Sequence, residues 1–135
     1  MKKLLILITI PFLFFSCAQV QDAVNPAPKK FIAKTERFGN FTFVVPANFK
    51  LKEEASLIYK KGNSVRAYLV YAGSGSVAKI SKFLDENLSK LGWKKSSELI
   101  GPAAVLVYKR NGQALVIKVE RILAGTYIKM LLTCA

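Results

Sequence analysis

Two hydrophobic periods divide the chain after Phe38. Period-two alternation or short apolar runs predict strands at 41–45, 55–60, 65–72, 93–99, 103–110, 113–122 and 126–133. In the strand from Val65, the side chains of Val65, Ala67, Leu69 and Tyr71 share one face while Arg66 takes the other. One stretch switches to helical spacing. Val77, Ile80, Phe83, Leu84, Leu88 and Leu91 recur at three- and four-residue steps, with Lys79, Lys82, Asp85, Glu86 and Lys90 opposite. Ser76 supplies the N-cap. Gly92 supplies a left-handed stop, which places Trp93 against Leu88 as a Schellman cap does.

The connections are short. Lys61-Gly62-Asn63-Ser64 predicts a four-residue hairpin loop, and Asn111-Gly112 a two-residue turn. That second turn sets Tyr108 opposite Leu115, Leu106 opposite Ile117 and Ala104 opposite Val119, giving one continuous apolar face. The reverse face mixes Val105, Val107 and Val116 with Lys109, Lys118 and Glu120, so it is partly solvated or partly covered by something else. The order β-β-β-α-β-β-β-β has one helix for seven strands, too few to cover both sides of a doubly wound sheet. The expectation is an α+β fold in two layers, one helix packed on a mainly antiparallel sheet, over residues 38–135.

The beginning of the chain carries different information. Met1-Lys2-Lys3 precedes twelve uncharged residues, Leu4 to Phe15. As a helix these reach about 18 Å, short of the ~30 Å hydrocarbon core, so residues 1–16 read as a signal peptide rather than a membrane span. Residues 18–30, with Pro26 and Pro28 and no periodicity, read as a tether, taken as far as Arg37. Lys29, Lys30, Lys34 and Arg37 keep that stretch extended or draw it to an anionic leaflet.

Leu13-Phe14-Phe15-Ser16-Cys17 resembles the lipobox of bacterial lipoproteins, although Phe14 and Phe15 stand where a leucine-like and a small residue are commoner. The resemblance implies that Cys17 is coupled to diacylglycerol, that the chain is cut just before it, and that the new amine is acylated, commonly with palmitate. Cleavage after Ala18, giving a freely secreted periplasmic protein, is the competing reading. Leu91-Gly92-Trp93 and its strand-rich flanks resemble small, mostly uncharacterised envelope lipoproteins and, more distantly, the helix-on-sheet repeats of a lipoprotein accessory of outer-membrane β-barrel assembly. These resemblances imply a binding or scaffolding role at the cell membrane or outer membrane, and no catalytic residue carries over.

Composition narrows the chemistry. The chain has 135 residues, 21 Lys+Arg against 8 Asp+Glu and no histidine, so the commonest neutral-pH base and zinc ligand are missing. The net charge of +13 favours anionic partners: lipid head groups or an envelope protein, with nucleic acid set aside by location. Gly73-Ser74-Gly75-Ser76-Val77-Ala78 fits G-x-G-x-x-A, the dinucleotide fingerprint whose backbone amides cradle a pyrophosphate, but every later connection is a hairpin, so it reads as a strand-to-helix turn. Glu53-Glu54 and Asp85-Glu86 are adjacent pairs whose side chains diverge on a regular element. Tyr59, Tyr68, Tyr71, Tyr108 and Tyr127 read as sheet residues with polar tips. Cys134 reads as a small residue closing the last strand, or as an intermolecular disulfide. The expectation is therefore no enzyme, no cofactor and no metal. The alternative function is a lipid or small-ligand carrier with a pocket lined by Phe83, Leu84, Leu106 and Ile117.

Overall fold

The computed structural model describes residues 30–134; the signal-peptide segment, Cys17 and the tether up to residue 29 lie outside them. The described residues are mostly antiparallel sheet, about three-fifths strand, with one α-helix packed against it. The strands are β1 (Ala33–Phe38), β2 (Phe41–Pro46), β3 (Lys50–Leu51), β4 (Leu57–Lys61), β5 (Ser64–Gly73), β6 (Lys94–Ile100), β7 (Ala104–Arg110), β8 (Gln113–Ile122) and β9 (Gly125–Cys134). The helix α1 spans Val77–Lys90.

β1 and β2 form a hairpin of their own. The remaining strands make a seven-stranded sheet in the order β3-β5-β9-β8-β7-β6, with β4 pairing β5 in line with β3. The domain is thus more sheet-rich than the helix-on-sheet expectation. The helix touches both the sheet and β2, so the hairpin covers part of the core that a lone helix leaves open. Residues 31–37 belong to this folded unit, which corrects the expected tether boundary. The β1 pattern was missed because only alternate residues of Ala33–Phe38 are half-buried, and Lys34, Glu36 and Arg37 break the apolar run.

The core runs from β2 through α1 to β5, β9, β8 and β7. Leu69, Tyr71, Leu115, Ile117, Ile128, Met130 and Leu132 all lie buried on one sheet face, each apolar side chain contributing about 1.5–3 kcal/mol. The register Tyr108↔Leu115, Leu106↔Ile117 and Ala104↔Val119 is as the Asn111-Gly112 turn requires, with Asn111 at φ 47° and Gly112 at φ 76°.

Both ends of α1 are closed as the sequence implies. Ser76 Oγ accepts from the Lys79 amide at 3.1 Å. At the other end Gly92 adopts φ 89°, its amide donates to Ser89 O, and the Trp93 amide reaches back to Leu88 O at 3.1 Å. This is the full Schellman pair of hydrogen bonds. Trp93 then ties three elements together. Its Nε1 donates to Thr42 O at 2.8 Å, its ring stacks on Phe41, and the Arg110 guanidinium lies 4.7 Å above the ring while donating to Leu91 O.

Two turns differ from expectation. Lys61 pairs with Ser64, so the β4–β5 connection is a two-residue Gly62-Asn63 turn rather than a four-residue loop. The strand expected from Ala55 starts at Leu57, because Glu53–Ala55 forms a 3-10 turn between β3 and β4. Val70 bridges that interruption: its carbonyl accepts from the Lys52 amide and its amide donates to Ser56 Oγ.

Candidate functional site

The face of the large sheet away from α1 has no element packed on it among the described residues. Its organisation follows from strand order, which local periodicity does not contain. Leu57, Tyr68, Leu131, Val116 and Val107 are successive cross-strand partners from β4 to β7 and form one apolar row. At about 4.8 Å per strand, that row is about 19 Å long. Leu57 is 73% exposed and Leu131 44%, so the row meets solvent most at its β4 end and its middle.

Cations flank the row. The next register carries Lys129 opposite Lys118. Glu120 lies between them, 3.1 Å from Lys118 and in contact with Lys129. Hydrogen bonds from Lys129 and then Lys118 hold its carboxyl below the usual range, and the same contact raises the Lys129 ammonium. Glu120 is therefore an ionised bridge between like charges, which without it would sit side by side. Beyond it, the Tyr127 ring has Lys52 Nζ 5.5 Å and Lys129 Nζ 5.7 Å from its centroid. Lys52 also donates to the Tyr127 hydroxyl at 3.4 Å, which raises its own pKa. On the far side of the row, Thr133 and Ala114 stand opposite each other, and Lys109 stands opposite both Ala114 and Lys94. The face is apolar along its centre and basic along its margins.

Among the described residues, the carboxylates do not gather at one cleft. Glu54 meets Lys52 and Glu36 accepts from the Tyr71 hydroxyl at 3.0 Å; Asp22 lies outside the described residues. Sequence reasoning missed one convergence. Asp85 on α1 and Glu98 on β6 both approach Lys95 Nζ, at 3.4 and 2.7 Å, and Asp85 also accepts from Tyr108. The ammonium between the two carboxylates offsets one of their two charges, and the cluster joins the helix to the edge strand. Burial first, then these carboxylates, pushes the Tyr71 and Tyr108 hydroxyls well above the ordinary phenol range. Among the described residues, no three of Cys, Asp and Glu gather as metal ligands.

The G-x-G-x-x-A segment serves packing. A methyl at Gly73 would sit 2.6 Å from the buried Phe49 ring, and one at Gly75 would sit 2.7 Å from Phe31. Thr126 Oγ1 donates to Gly75 O at 2.7 Å, fixing the turn from the sheet side. Phe83, Leu84, Leu106 and Ile117, the expected pocket lining, lie within the continuous core. The open clefts at the surface are lined elsewhere, one by Asn48, Lys52, Ser74 and Tyr127. Cys134 is an exposed free thiol opposite Gln113.

No family model matches the chain, and no curated protein or solved structure is significantly similar to it. No helix among the described residues is long and apolar enough to cross a membrane.

Proposed function

We propose that the chain is a lipid-anchored, non-enzymatic binding or scaffolding domain of the bacterial cell envelope, held at the membrane through Cys17 and facing the periplasm or the exterior. The observation that carries this reading is the order of the first seventeen residues: a cationic start, an apolar stretch too short to span a bilayer, then Ser16-Cys17. At ~0.8 kcal/mol per buried methylene, two or three acyl chains hold a protein on a bilayer nearly irreversibly. The domain then has no need of chemistry at the membrane itself. Taken as a two-layer α+β domain, with α1 and the β1–β2 hairpin as one layer, it leaves the reverse sheet face to a partner. The basic margins and apolar centre of that face favour an anionic envelope protein or lipid surface over nucleic acid. We assign it no catalytic residue and no cofactor.

Intact-mass measurement of the protein from the membrane fraction tests the anchor. The expected product begins at Cys17 with a diacylglycerol and an acyl chain added, and Cys17→Ser moves the protein to the soluble fraction. A soluble product with an unmodified Cys17 overturns the reading.

A further inference from the structure

The large sheet has two free edges, and the sequence treats them differently. β6 is blunted: its register shifts between Lys95 and Ser97, and Lys94 and Lys95 stand on it. Lys95 is also tied to Asp85 and Glu98. β4 ends in Lys60 and Lys61 but has no register shift, and its exposed apolar stretch is one residue longer than the Leu99-Ile100 pair of β6. Its register against β5 is regular from Leu57 to Lys61, and it pairs with no other strand among the described residues. Leu57, Ile58 and Tyr59 are 73, 47 and 60% exposed, three consecutive large apolar residues on an open edge.

We propose that β4 is a self-pairing edge through which a second copy of this chain extends the sheet across a two-fold axis. The backbone geometry sets the register. Lys61 and Ser64 close a two-residue hairpin, so Leu57, Tyr59 and Lys61 direct their amides and carbonyls toward β5. Ile58 and Lys60 direct theirs outward. Of the antiparallel registers this allows, pairing Ile58 with Ile58 of the second copy on the axis joins the apolar residues and keeps Lys60 from facing Lys60. Leu57 then faces Tyr59 of the second copy, and Tyr59 faces its Leu57, an aliphatic–aromatic cross-strand pair made twice.

Charge selects this occupant over an arbitrary strand. Glu53 and Glu54 stand in the 3-10 turn that precedes β4, Glu54 3.7 Å from Lys52, and Lys60 and Lys61 stand at the end of the strand. Antiparallel self-pairing brings the acidic end of each copy to the basic end of the other, whereas parallel pairing sets like charges together. Leu57 also belongs to the apolar row of the reverse face, so pairing continues that row from one copy into the next. This inference does not depend on the lipid at Cys17.

The test is disulfide trapping of the full chain in intact cells. In a Cys134→Ser background, Ile58→Cys is expected to give a covalent homodimer on mild oxidation, well above the parent. Ser97→Cys on β6 is expected to stay at the parent level. Lys60→Glu should lower the Ile58→Cys yield several-fold, and adding Glu54→Lys should restore it. Trapping no better than Ser97→Cys, trapping to a different polypeptide, or no restoration by the double charge reversal overturns the proposal. A trapped dimer whose Cys17 carries no glyceride leaves the pairing standing and removes only the anchor, so the two readings fail separately.

Discussion

Gly73→Ala separates a packing glycine from a phosphate-binding one. The Gly73 backbone lies outside the left-handed region, so alanine brings no torsional strain. By itself the change would stabilise by about 0.4–1 kcal/mol, because the unfolded chain loses freedom. The new methyl, however, would lie 2.6, 2.7 and 2.9 Å from three carbons of the Phe49 ring. Ordinary contact begins near 3.4 Å, so the ring must retreat by roughly 0.5–1 Å. Phe49 is fully buried, so its ring moves only by displacing core neighbours. Overpacking of that kind costs about 1–3 kcal/mol, which leaves a net loss centred on ~1.3 kcal/mol and a fall of roughly 5–10 °C in Tm for a domain this size.

Trp93 makes the measurement convenient. It is the only tryptophan and is 2% exposed, so its emission reports unfolding directly. Urea titration should show a lower midpoint with an unchanged slope. Phe49→Leu gives the ring's volume back to the methyl, so the double variant should lose less than the two single variants combined. Additive losses, or a Gly73→Ala protein as stable as the parent, would refute the seating of Phe49 on Gly73. They would reopen the glycine segment to a ligand-binding role.

Two further predictions concern protons. Tyr71 and Tyr108 have folded pKa values above the ordinary ~10, so the stability they contribute is present below pH ~10 and is lost as pH rises beyond it. Absorbance at alkaline pH should show these two phenols ionising only with global unfolding, and Tyr71→Phe should remove one of them from that late step. Glu120 has the opposite sign. Its folded pKa is lowered, so its contribution is present above pH ~4.5 and lost as pH falls through the lowered value. Urea midpoints measured from pH 6 to pH 3 should decline less steeply in Glu120→Gln than in the parent.

The parts of the fold that were legible are those in which local pattern and tertiary demand agree. Ser76, the 3–4 spacing of Val77 to Leu91, and Gly92-Trp93 fix α1 at both ends because each signal acts within one helical turn. Asn111-Gly112 fixes a whole register for the same reason. β1 escaped because its half-buried side carries Lys34 and Glu36 with Phe38, two charged residues of three, so no apolar rhythm marks the strand. The break between β3 and β4 escaped because Ser56 replaces a backbone acceptor with a hydroxyl, an exchange that hydrophobicity does not register. The apolar row and the Asp85–Lys95–Glu98 cluster depend on which strands become neighbours. β5 lies next to β9, more than fifty residues away, and no period along the chain encodes that adjacency.

Anchor and edge bear on each other through concentration. The proposed pairing rests on cross-strand contacts worth about 0.2–1 kcal/mol each, together with the backbone hydrogen bonds of a five-residue strand. Set against the several kcal/mol of rotational and translational freedom lost on association, so short an edge pairs weakly between freely diffusing molecules. Copies held on one membrane surface have already surrendered part of that freedom, and their effective concentration rises as it does for linked modules. A short open edge is thus better suited to a tethered protein than to a dissolved one. The proposed acylation of Cys17 would do more than set an address: it would raise the occupancy of an interface that does not itself require the lipid. In the proposed pairing, Lys60 near the end of β4 and Glu54 in the turn before it set the direction in which the strands meet.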